Sequence, residues 1–247
     1  IASQLPEGAA LAVVTEASAL AQASHIVLPG VGAFGDCMQG FNALPGMRAA
    51  LEEAVLTRKT PFLGICVGMQ MLFQRGHEHG VHEGLGWFAG EVRLLAPADA
   101  TLRIPHMGWN QLQRQQPDHP LLRSMEEGAF VYFVHSYAAT GCNPSEVLAT
   151  VDYGGEIVAL IGRENIMGAQ FHPEKSQAVG LAMIAGEKWR IDVFNSHGKI
   201  YEASASTMFG VPLDEILGWK KLHDQHHPLR ALGKVNELAN GYQGWVN

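Results

Sequence analysis

Charge is scarce in this chain: 17% of its 247 residues are Asp, Glu, Lys or Arg, and acidic residues outnumber basic ones by 24 to 17. A net charge of −7 leaves little to hold a polynucleotide backbone, which argues against a nucleic-acid partner and fits small-molecule chemistry. No apolar run approaches the roughly 20 residues of a membrane span, and no signal-peptide pattern opens the sequence, so neither a membrane nor an export route is expected. Three cysteines cannot all pair, which excludes a disulfide framework and predicts a reducing, cytoplasmic setting. Cys37 and Cys142 read as ordinary buried or half-buried thiols. His77, His79 and His82, and again His223, His226 and His227, cluster without a nearby cysteine or paired carboxylates. Solvated loop histidines are therefore expected in both places, with no metal and no cofactor. What the chain does have is apolar mass: 47% hydrophobic residues build a substantial core and exclude disorder.

One cysteine stands apart. In Pro61-Phe62-Leu63-Gly64-Ile65-Cys66-Val67-Gly68-Met69-Gln70 it lies between two glycines, where an apolar strand turns into a helix expected over 67–74. Gly64 and Gly68 clear side chains from a strained turn, so Cys66 projects from its apex. The unpaired N–H groups of the following helix favour thiolate, and that of Val67 is placed to hold an oxyanion. The plainer account of a lone cysteine is a buried structural thiol, so the assignment turns on finding a base.

A base is offered by Gly168-Ala169-Gln170-Phe171-His172-Pro173-Glu174, an apolar strand ending in a histidine with a carboxylate two places on. Residues two apart in an extended chain face the same side. Glu174 can thus orient one ring nitrogen of His172 while the other meets the thiol, the order of roles in a nucleophile–base–orienter triad. A capped strand end would explain the tripeptide alone equally well.

Together, the Gly-x-Cys-x-Gly elbow and the late His-Pro-Glu resemble the triad, or class I, glutamine amidotransferases. His25 to Met38, containing Pro-Gly-Val-Gly-Ala-Phe, then Pro105-His106-Met107-Gly108-Trp109-Asn110, then Phe133-Val134-His135-Ser136-Tyr137 are similar to one branch, the glutaminase subunits of imidazole glycerol phosphate synthase. The match spans about the first three-quarters of the chain. It implies hydrolysis of glutamine by Cys66, His172 and Glu174, without a cofactor. It also implies that the Gly30, Val31 and Gly32 backbone supplies an oxyanion element, two glycines allowing the intervening peptides to reorient. Gln70, one turn past the nucleophile, is expected to bind the substrate's α-amino or carboxylate group, and Glu78, His135, Ser136 and Tyr137 are carried by the resemblance to the same pocket. The implied partner is the cyclase subunit, a (β/α)₈ barrel that receives ammonia through a channel, forming a heterodimer. Pro105, Met107, Trp109 and Asn110 then read as the interface, with Trp109 as its anchor. Other readings stay open: a different class I amidotransferase, a cysteine hydrolase on the same fold, or a non-catalytic binding or sensory protein.

Strands alternate with helices up to about residue 185. Strands are expected over 11–15, 25–28, 62–65, 87–95, 130–137, 147–151, 157–162 and 166–171, with helices over 47–58 and 176–185. The expected fold is α/β, an open, mostly parallel sheet flanked by helices, with a short α+β extension. The amidotransferase domain is placed at 1–185 and the extension at 186–247. Against the family, the chain begins at Ile1-Ala2-Ser3 without the first strand, which predicts an exposed sheet edge and lower stability. Residues 189–219 weakly resemble the front half of a PAS or cache-type sensor domain.

Overall fold

The computed structural model describes residues 11–119, 122, 125 and 127–176. The chain forms two compact units. The larger comprises Ala10–Arg123 and Glu127–His172. The second comprises Ile1–Ala9, Ser124–Glu126 and Pro173–Asn247, of which Met125 and 173–176 are described. The start of the chain, where the family's first strand is expected to be lacking, the helix expected over 176–185 beyond its first residue, the boundary at 186, the sensor-like segment and the second histidine cluster all lie outside the described residues.

In the larger unit, apolar stretches rich in β-branched residues become β1 (Ile26–Gly30), β2 (Phe62–Cys66), β10 (Val147–Asp152), β11 (Glu156–Arg163) and β12 (Ile166–Ala169). With β7 (Gln113–Arg114), they form a six-stranded sheet in the order β1-β2-β12-β11-β10-β7. β1 and β12 both run parallel to β2, while β11, β10 and β7 follow antiparallel. The α/β reading holds, with the sheet mixed and its parallel part centred on β2. Four of the five β2 residues are buried, as a near-continuous apolar run between two parallel neighbours requires.

Helices α1 (Phe34–Ala43) and α2 (Met47–Glu52) follow β1, and α2 continues as a π-helical turn over Glu53–Thr57. The expected helix over 47–58 is thus present with a looser last turn. Residues 11–15 are not a strand: they pair with nothing described, and Val13 is 94% exposed. The apolar composition there reads as a strand, but among the described residues no strand edge pairs with its backbone.

The helix after Cys66 is also shorter than expected. α3 spans only Val67–Gln70, and the chain re-extends as β3 (Phe73–Gly76). Leu85 N–H donates to Met71 O at 2.8 Å, and Trp87 and Phe88 N–H both donate to Leu72 O. This pairing with residues 84–88 of the same chain outweighs local helix propensity. β3 joins β4 (His82–Glu83), β5 (Phe88–Leu94) and β9 (Tyr137–Thr140) in a four-stranded sheet ordered β4-β3-β5-β9. β6 (His106–Gln111) and β8 (Phe130–His135) form an antiparallel pair. The strand expected over 130–137 therefore divides at Ser136 between two sheets. Phe34, Phe73, Phe88, Phe133 and Phe171 are fully buried, and truncating one such ring to alanine costs about 3–5 kcal/mol.

Candidate active site

Cys66 ends β2 in a conformation that L-residues rarely adopt, φ 54° and ψ −115°. This is the first central position of a type II′ turn, usually held by glycine. Such strain costs about 1–3 kcal/mol and persists only where the surroundings over-determine it. They do so here through three glycines. A Cβ on Gly64 would lie 2.6 Å from Gly68 O, one on Gly68 would land on the Leu28 carbonyl oxygen, and one on Gly30 would meet Gly68 N at 2.5 Å. β1, the elbow and α3 are therefore packed backbone against backbone, with Gly30 paired in register with Cys66. With only one turn, α3 has too few aligned peptides for a large dipole, so the expected help to the thiolate is confined to the local N–H groups.

The loop after β1 starts at Gly30, which packs against this elbow. Gly32 has φ 98°, and nothing lies within 4 Å of the position its Cβ would take, while Val31 is 80% exposed. The Cys37 thiol donates to Val31 O at 3.3 Å. A trans peptide points its N–H opposite to its carbonyl, so this bond also orients Gly32 N–H. Burial, reinforced by the nearby acid Asp36, raises the pKa of Cys37 and keeps it a protonated donor. The far end of the loop is fastened by Glu78, whose carboxylate accepts from Phe34 N–H at 2.8 Å. Ala33 offers no side-chain cap, so Glu78 does that work from a distant loop.

Beside β2, β12 runs parallel with Ala169 opposite Ile65. Three residues on, His172 is 6% exposed, as is Cys66, so both leave the carboxyl ends of adjacent parallel strands, where open sheets place their sites. His172 N–H donates to Tyr132 O at 3.0 Å. In the second unit, Pro173–Lys175 forms a 3₁₀ turn, carrying Glu174 and closed by Ser176 N–H to Pro173 O.

Gln70 is 3% exposed, and its amide nitrogen donates to Tyr137 O at 2.9 Å and to Gln170 Oε1 at 3.1 Å. Both amide protons are thus engaged within the protein. Gln170, which sequence reasoning passed over, is fully buried with its amide nitrogen 4.0 Å from Cys66 Sγ. An amide inside the otherwise apolar run Ala169-Gln170-Phe171 was the available signal. His135 is also buried, with Nδ1 2.9 Å from Tyr137 O. Ser136 contributes its carbonyl, which accepts from Leu95 N–H at 2.8 Å. Of the first histidine cluster, His77 pairs with Glu91 at 2.9 Å, and His82 packs its ring where Gly35 has no side chain.

The β6/β8 pair has two unlike faces. His106, Val131, Phe133 and His135 are buried, while Met107 is 61%, Trp109 45% and Phe130 54% exposed. Trp109 stands edge-on to Tyr132 with centroids 5.7 Å apart. Asn110 is half-buried, donating to Asp152 O at 2.9 Å. Pro105, at the head of this strand, is exposed.

Comparison with known proteins places these features in a lineage. The model of the class-I glutamine amidotransferase family matches residues 9–188. The chain is 52% identical over 177 residues to imidazole glycerol phosphate synthase subunit HisH of Rhodospirillum rubrum, covering 72% of this chain and 83% of that protein. It is 52% identical over 175 residues to the same subunit of Zymomonas mobilis, covering 71% and 80%. Among solved structures, a glutamine amidotransferase superposes with a TM-score of 0.51 at 14% identity, covering 74% of this chain and 85% of that one, a likeness of fold.

Proposed function

Because the chain belongs to the class-I glutamine amidotransferase family, we propose that it hydrolyses glutamine to glutamate and ammonia as the glutaminase half of an imidazole glycerol phosphate synthase, in histidine biosynthesis. The observation that carries this reading is the left-handed Cys66 at the end of β2, beside a parallel strand that leads to His172.

Cys66 attacks the side-chain carboxamide carbon of glutamine as a thiolate. The carbonyl oxygen becomes an oxyanion, held by the Val67 N–H and by backbone N–H groups of Gly30, Val31 and Gly32. His172, as imidazolium, gives its proton to the nitrogen as the carbon–nitrogen bond breaks, and ammonia leaves. The resulting γ-glutamyl thioester is opened by water, whose proton His172 accepts. Glu174 stabilises the charged ring in both steps. Glu78, His135, Ser136 and Tyr137 shape the glutamine pocket. The engaged amide of Gln70 makes it a support for that pocket through Tyr137, and it reaches substrate only by exchanging one of those bonds.

Ammonia lost to solvent is protonated and useless as a nucleophile. The exposed face carrying Met107 and Trp109, with exposed Pro105 just ahead of the strand, supports docking against a cyclase subunit around an aromatic anchor, whereas Asn110 lies half-buried on the opposite face beside His106 and supports the strand from behind. The three cysteines are free, which suits a cytoplasmic enzyme. No helix among the described residues is long and apolar enough to cross a membrane.

The reading is tested by glutamate release from the full chain mixed with a cyclase subunit and its nucleotide ligand. Wild-type release, abolished by Cys66→Ala, is expected. Release unchanged by that substitution overturns the nucleophile.

A further inference from the structure

Between the buried face of β6 and Cys66 runs an unbroken line of hydrogen bonds whose direction can be worked out atom by atom. His135 Nδ1 lies 2.9 Å from the Tyr137 carbonyl, which can only accept, so this nitrogen carries the proton. A neutral His135 then has a bare Nε2. His106 Nδ1 sits 3.1 Å from that nitrogen and must donate. A neutral His106 in turn has a bare Nε2, and Asn110 Nδ2 approaches it at 3.3 Å while also donating to Asp152 O at 2.9 Å. Burial, then the nearby His135, holds His106 to a pKa of about 4; burial, partly opposed by the bond to Tyr137 O and aided by His172, holds His135 to about 4, so both are neutral at physiological pH.

The other end of the line is equally determined. Tyr137 O accepts from Gln70 Nε2 as well as from His135, and the second Gln70 proton goes to Gln170 Oε1. With its oxygen so engaged, the Gln170 amide presents its N–H groups toward Cys66 Sγ, 4.0 Å away. A flip of the His135 tautomer would set Nδ1 and the Tyr137 carbonyl as two acceptors face to face, releasing Tyr137 O from one of its two donors.

We infer that His106 is a positioning residue for the glutaminase site, fixing the Nδ1–H tautomer of His135 and with it the line through Tyr137, Gln70 and Gln170 to the Cys66 sulfur. The inference rests on the catalytic reading above and deepens it. His106 touches no reacting atom. It lies 2% exposed on the buried face of β6, the strand whose other face carries Met107 and Trp109, so a displacement of that strand on docking reaches the site through this ring. Its ring is also stacked, 3.9 Å from Tyr153 and 4.7 Å from Phe133 between centroids, which holds it in one orientation.

The stack and the hydrogen bond can be separated. His106→Phe keeps the stacked ring and removes the donor. His106→Asn places an amide N–H near the Nδ1 position and gives up the stack. A packing role predicts that Phe is the better replacement, and a positioning role predicts Asn. For glutamine hydrolysis by the full chain with its cyclase subunit, kcat/KM is expected to fall about tenfold in His106→Phe and to recover to within about threefold of wild type in His106→Asn. Activity of the Phe variant equal to or above that of the Asn variant overturns the inference. Independently of activity and of any variant, the ring ¹⁵N shifts of the wild-type chain at pH 7 should show His135 protonated at Nδ1 alone. Protonation at Nε2, or at both nitrogens, overturns it. Were the wild-type complex to release no glutamate, the catalytic reading would fall, while the tautomer measurement would still decide the hydrogen-bond line.

Discussion

Replacing Cys66 by alanine and by glycine separates the strain of the nucleophile turn from its chemistry. At an ordinary buried position, going from alanine to glycine frees the unfolded chain, costing about 0.4–1 kcal/mol, and gives up a buried methyl group worth about 0.8 kcal/mol. Together these destabilise by about 1.5 kcal/mol, or about 3–6 °C in Tm for a chain of this size. Cys66 is not ordinary: at φ 54° and ψ −115° any Cβ is strained, by about 1–3 kcal/mol, and glycine removes that strain. The two effects offset, so Cys66→Gly should melt within about 2 °C of Cys66→Ala, or above it. Ala169→Gly, at a fully buried site on the neighbouring strand, supplies the ordinary comparison and should lower Tm by the full 3–6 °C or so. Scanning calorimetry of the wild type and the three variants reads this directly. If the glycine at 66 costs as much as the glycine at 169, the turn is not strained, and the account of how Cys66 is presented fails.

Three further outcomes are expected. Gly68→Ala drives a methyl group into the Leu28 carbonyl oxygen and should destabilise by about 3 kcal/mol or more, seen as a lower urea midpoint, where a change under 1 kcal/mol would contradict the packing of the elbow. Glu78→Ala removes the distant cap of α1 and should lower stability by about 1 kcal/mol while raising the KM for glutamine, since the same bond anchors the far end of the loop that starts at Gly30; an unchanged KM would detach Glu78 from the site. His106 and His135 titrate near 4 when folded and near 6.5 when unfolded, so the unfolded chain takes up protons first and stability falls as pH drops through that window, by about 2 kcal/mol per ring at pH 5. His106→Phe should remove about half of that pH dependence in urea titrations at pH 7.5 and 5, and identical slopes would show that His106 is not buried in neutral form.

The nucleophile end of the site is local chemistry, and so it can be read in the linear chain. Gly64, Cys66 and Gly68 announce a turn that only small flanking residues permit, and β2 and β12 are apolar runs too short to be anything but buried strands. Where the reading missed, the deciding partner was distant. The run 67–74 reads as a helix and becomes a strand after one turn because residues 84–88 hydrogen-bond to it. Residues 11–15 look like a strand and pair with no edge among the described residues. Gln170 and His106 carry no local mark beyond polarity in apolar company, and their roles come from Gln70 and His135, 100 and 29 positions away in sequence. Gln70 shows the converse: its place beside the nucleophile is legible from helical spacing, but its engagement with Tyr137 O depends on a strand from another sheet.

The central claim is that Cys66 is the nucleophile that glutamine meets. Incubation of the full chain and its cyclase subunit with an electrophilic glutamine analogue, followed by peptide mass mapping, tests it most directly. The account predicts one covalent adduct, on Cys66, prevented by excess glutamine, with the half-buried Cys37 and Cys142 unmodified. An adduct on either of those thiols in place of Cys66, or labelling of Cys66 that glutamine does not slow, would contradict it.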